Sequence, residues 1–65
     1  MKYYMTKGHI IHLPSIRHIK LGGFAKILLY YHGADEAEII EFNNYDTAKK
    51  EFELLWLALI NMKEV

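Results

Sequence analysis

Residues 24–31 (FAKILLYY) alternate in the way that gives a strand two faces. Ala25, Ile27, Leu29 and Tyr31 share one; Phe24, Lys26, Leu28 and Tyr30 share the other. Only Lys26 marks the second face as outward, whereas a half-solvated antiparallel strand shows more polar residues there. The pattern therefore predicts a strand covered at least in part on both sides. Weaker extended signals flank it at residues 2–6 (KYYMT), 9–13 (HIIHL), 15–21 (SIRHIKL) and 36–42 (EAEIIEF). In the last of these, Ile40 and Phe42 should face a core and Glu41 solvent, which leaves Ile39 exposed or at an interface. Lys7-Gly8 and residues 32–35 read as turns. Pro14 must end or bend the second strand, because it cannot donate to a ladder. Gly22-Gly23 predicts a hairpin in which both glycines take positive φ.

After Asn44 the period changes. Tyr45, Ala48, Phe52, Leu55, Leu59 and Met62 recur at alternating steps of three and four, the stripe of an amphipathic helix. Asn44 suits its N-cap, Asp46 its positive end, and Asp46 with Lys50 forms a favourable i,i+4 pair. Residues 54–60 (LLWLALI) are all apolar, which at about 3.6 residues per turn leaves no polar face. The run is far short of the about 20 residues that cross a bilayer. Leu54 and Leu57 point away from the stripe, with Trp56 and Ile60 on its flanks. Those four are the predicted interface. The whole reads as one α+β domain, residues 1–65: an antiparallel four- to five-stranded meander followed by one C-terminal helix packed on the sheet.

The stretch from His9 to Leu59 carries the pattern G-x-I-I-x-L-x-x-I-x-x-I, then KILLYY, a short acidic turn, IIEF, and an A-x-x-x-F-x-x-L helix. In this it resembles small bacterial and phage proteins of sheet-plus-helix form. The shared positions are core positions, so the resemblance implies that fold and a mobile-element origin, and no activity.

Size changes the picture next. A chain of 65 residues buries only about 60% of its unfolded surface, and domains this small need disulfides, a metal or oligomerisation. There is no cysteine, which removes disulfides and thiolate zinc sites and fits a reducing, cytoplasmic setting. Hydrophobic residues make up 52%, against disorder and in favour of self-association. The first residues lack the apolar run of a secretory leader.

Net charge is zero, yet it is divided. Lys2, Lys7, Arg17, Lys20 and Lys26 stand in residues 1–34 without one acid, and all four histidines join them. Residues 35–65 hold eight acids against three lysines. Attraction between the halves explains such a division, as does an anionic partner.

Candidate chemistry is sparse. His9 and His12, three apart on a strand, point to opposite faces, and no nearby carboxylate completes a ligand set, so no metal and no cofactor are expected. Ser15 is the only serine and has no nucleophile elbow around it, and Glu36, Glu38 and Glu41 read as a solvated strand end. No enzyme is expected. The remaining constellation is basic and aromatic: Arg17, His18 and Lys20; Lys2, Tyr3 and Tyr4; Lys26, Tyr30, Tyr31 and His32. On one sheet face these would offer charge for phosphate and rings for stacking. Arg17, His18, Lys20, Lys26, Tyr30 and Tyr31 are the predicted ligand-binding residues. The architecture is similar to two known kinds of protein: sheet-then-helix coactivator dimers that bind single-stranded DNA, and small oligomeric phage proteins that sequester nucleotide signals.

The function expected is thus a homo-oligomeric binding protein for an anionic, nucleotide-like molecule or an acidic protein surface. The alternatives are an adaptor or inhibitor docking a partner through its apolar helix, and single-stranded nucleic acid binding. Zero net charge weighs against the last.

Overall fold

The computed structural model describes residues 2–64, with side chains to Met62. Five strands and one helix follow in chain order: β1 (Tyr3–Thr6), β2 (His9–His12), a 3-10 turn (Leu13–Ser15), β3 (Ile16–Gly22), β4 (Lys26–Tyr31), β5 (Glu38–Glu41) and α1 (Tyr45–Glu64). The fold is α+β, with the C-terminal helix packed on the strands. The strands form two antiparallel sheets, β1-β2 and β3-β4-β5, rather than one meander. The division falls at Pro14. It has no N–H to extend a ladder, and the 3-10 turn around it sends the chain away from β2 before β3 begins.

Lys7 and Gly8 have φ of 48° and 80°, the two left-handed positions of a two-residue hairpin loop closed by the Thr6–His9 pair. The Gly22-Gly23 expectation is corrected. Gly22 pairs with Lys26 inside the ladder, and the loop is residues 23–25, with the left-handed residue at Ala25 (φ 50°). At Gly22 it is space that is tight instead: a Cβ there would meet Leu28 Cδ1 and Lys26 Cγ, each at 3.0 Å, and those side chains would have to shift. Phe24, expected in the strand, sits at the loop tip, 88% exposed.

The core joins both sheets to the helix. Ile11, Leu13, Ile27, Leu29, Ile40 and Leu55 are fully buried together, each worth about 1.5–3 kcal/mol of burial. Ala48, Phe52, Leu59 and Met62 complete the helical stripe against them. Tyr45 does not. It is the first helical residue and roughly 80° round the helix from Leu55, and it stays half exposed. Asn44 caps the helix as expected, its Oδ1 accepting from Thr47 N at 2.8 Å.

Polar contacts tie the hairpin to the rest. Glu51 on α1 accepts from Thr6 Oγ1 at 2.8 Å and from Tyr4 OH at 3.3 Å. His9 Nδ1 lies 3.3 Å from Glu38 Oε2 on β5. Lys7 donates to the Glu41 carbonyl and sits over the Phe42 ring. The hairpin therefore lies alongside β5, held to the sheet by side chains rather than by a ladder.

Candidate functional site

The register of β3 on β4 decides which side chains share a face. His18 opposes Tyr30, Lys20 opposes Leu28, and Gly22 opposes Lys26, while Ile19 opposes Leu29 and Leu21 opposes Ile27. Directly opposed residues lie on the same side of a sheet. Ile27 and Leu29 are buried toward the helix, so His18, Lys20, Lys26, Leu28 and Tyr30 lie on the opposite, outer face.

A shift of register between Ile16 and His18 makes Arg17 the extra residue of a β-bulge. This bulge has two effects. It lets Ile16 and Ile19, three apart, both pack on the core, where a regular strand would send them to opposite faces. It also swings Arg17 over the Tyr30 ring, its Cζ 5.8 Å from the centroid. The His18 ring is tilted against the same tyrosine at 5.3 Å. Five of the six predicted residues, Arg17, His18, Lys20, Lys26 and Tyr30, thus meet on one face. Glu41 opposes Lys26 across β5 and is the carboxylate beside them, with Ile39 48% exposed at its side.

Tyr31 is placed elsewhere. The alternation of β4 turns it to the core side, where its OH donates to Glu38 Oε1 at 2.5 Å. Burial first, then the Glu38 hydrogen bond and charge, hold the Tyr31 hydroxyl protonated well beyond the usual tyrosine range. Tyr3 and Tyr4 belong to the other sheet, and the Tyr4 hydroxyl is pushed above the usual tyrosine value by burial first, then by the charge of Glu51 and its hydrogen bond. Exposed His32 lies in the turn after β4.

The four predicted interface residues are likewise divided. Leu54 and Trp56 sit roughly 100° to either side of Leu55, and Leu57 roughly opposite it. Trp56 and Ile60 line a groove of 440 Å³ between the helix and β3, whose other walls include Ile16, Ile19, Phe52 and Leu59. Leu54 and Leu57 lie outside it, 42% and 48% exposed. Sequence reasoning missed this groove. Its signal was the I-x-x-I spacing of Ile16 and Ile19, which in an extended segment requires a bulge.

His12 Nδ1 and Ser15 Oγ lie 2.6 Å apart, a contact that spacing alone had not suggested. It spans the 3-10 turn, and neither residue lines the groove between the helix and β3. Among the described residues, no three His, Asp or Glu side chains come together as a metal site, and no helix is long and apolar enough to cross a membrane. No protein-family model, curated protein or solved structure matches this chain.

Proposed function

We propose that this chain is a non-enzymatic, homo-oligomeric, cytoplasmic binding protein that takes an anionic, ring-bearing ligand of the nucleotide class. The ligand lies on the outer face of β3-β4-β5. One observation carries the reading: the register of β3 on β4 brings Arg17, His18, Lys20 and Lys26 onto one face, with Arg17 and His18 against the Tyr30 ring. The cations suit phosphate oxygens, and the Tyr30 and His18 rings suit a base, where stacking contributes about 1–3 kcal/mol per base. A neutral chain has little long-range pull on a polyanion, which favours a small ligand over a nucleic acid strand. A phage origin rests on the core-pattern likeness alone and adds nothing to this site.

The test is isothermal titration with ADP and with a short oligothymidylate. ADP should bind, and Lys20→Ala with Lys26→Ala should weaken it at least tenfold while the circular dichroism spectrum is unchanged. Strong oligothymidylate binding that falls steeply with salt moves the reading to single-stranded nucleic acid. Absence of binding to either probe rejects this face as a site. A second reading, a protein-docking adaptor, is favoured by Leu54 and Leu57 on the back of the helix. It predicts a monomer that aggregates alone.

A further inference from the structure

We infer that the groove between α1 and β3 holds a single-chain amphiphile with an anionic head, of the fatty-carboxylate class, its chain along the apolar walls and its head at Arg17. This goes beyond the outer-face reading: the two sites share Arg17 and His18 but lie on the two sides of β3.

The base of the groove is apolar throughout. Ile16, Ile19, Phe52, Leu59 and Met62 line it and pack, partly buried, on the core, and Trp56 and Ile60 continue that surface up the helix side. Its 440 Å³ falls in the range of about 300–1,000 Å³ typical of small-molecule sites. The polar side chains that line it, Arg17 and His18 on β3 and Glu53 on α1, are all exposed and so stand at its lips.

Charge selects the occupant. Arg17 and His18 also touch the Tyr30 ring, which puts them where groove and outer face meet. An apolar body that covers the groove withdraws water from Arg17, and a guanidinium that loses water must gain an anion. Among the described residues Arg17 meets no carboxylate, so the occupant supplies one, and a planar carboxylate matches the guanidinium fork. Glu53 repels an anion, so the head sits at the β3 lip, away from α1. A strand of another chain is a poor occupant. β3 is an edge strand, paired only with β4, but the Arg17 bulge and the outer-face charge of Lys20 guard that edge.

Trp56 is the only tryptophan, so its emission reports the groove. Titration of the full chain with decanoate, below the micelle-forming concentration, should give a saturable blue shift. Hexanoate should bind at least about tenfold more weakly, because each buried methylene adds about fourfold. Decyltrimethylammonium, with the same chain and the opposite charge, should also bind at least about tenfold more weakly than decanoate. Arg17→Gln should weaken decanoate by roughly fivefold or more, and Glu53→Gln should tighten it by roughly twofold or more. Should Arg17→Gln unfold the chain, the chain-length and head-group comparisons on the unaltered protein still decide. No saturable shift, no dependence on chain length, or equal binding of the two head groups overturns the inference. So does an emission that shifts with protein concentration alone and ignores decanoate, because a second copy then fills the groove. ADP has no chain and decanoate no ring, so failure here is distinct from failure of the outer face to bind ADP.

Discussion

Replacing Glu51 by alanine isolates what holds the first hairpin to the helix. The carboxylate accepts from Thr6 Oγ1 at 2.8 Å and Tyr4 OH at 3.3 Å. Thr6 is 5% exposed, so Glu51→Ala strands a buried hydroxyl. Losing the partner of a buried polar group costs about 1–3 kcal/mol, and bonds to a charged acceptor sit at the upper end. Alanine returns a few tenths through helix propensity, which leaves a net loss of about 2 kcal/mol. A chain of 65 residues has roughly 3–10 kcal/mol in total, so the loss is a large share and should lower Tm by roughly 8–16 °C. Thr6→Val removes the hydroxyl itself, and half-buried Glu51 can turn to water, so that variant should lose about 1 kcal/mol or less. The decisive measurement is the double-mutant cycle by urea denaturation. With Thr6→Val already present, Glu51→Ala should cost at least 1 kcal/mol less than in the parent. Additivity within about 0.5 kcal/mol would refute the claim that these two groups satisfy each other.

Leu55→Ala empties the centre of the one core shared by helix and sheets; a loss of about 2–5 kcal/mol should leave much of the population unfolded at 37 °C, read by circular dichroism. Asn44→Ala removes the acceptor for Thr47 N and should cost about 1 kcal/mol, whereas Asn43→Ala, one residue earlier, should change stability little. Tyr31 has a raised pKa in the folded chain, through burial and the Glu38 contact. The folded state therefore keeps a proton that the unfolded chain releases above about pH 10. That contribution is complete below this pH and is lost as pH rises toward the folded value. Tyr31→Phe should flatten the alkaline decline in stability, and equal slopes in the two proteins would count against it.

Alternation and helical period are local properties, and they carried the element types far. The inward set Ile27, Leu29 and Ile40, the cap at Asn44 and the stripe from Ala48 to Met62 follow from spacing alone, because a strand repeats every two residues and a helix every 3.6 or so. The basic and aromatic character of the site was also legible, since residue types need no coordinates. Which of those residues meet was not. Tyr30 and Tyr31 are neighbours in sequence, yet one faces outward beside Arg17 and His18 while the other turns in to Glu38. Ladder register sets that choice, and register depends on pairing with another strand.

The same limit explains the other differences. Gly22-Gly23 has the composition of a two-residue turn, but the pairing of Gly22 with Lys26 shifts the loop by one residue and places the left-handed conformation on Ala25. LLWLALI announces that one helix has more apolar surface than a single sheet can cover. Only the sheet's position shows that Trp56 and Ile60 flank a groove at β3 while Leu54 and Leu57 do not. Hydrophobic content is a sum over the chain and can be read in one dimension. The bulge at Arg17, the division into two sheets and the open edge of β3 arise where distant segments meet, and their energies exist only once those segments touch.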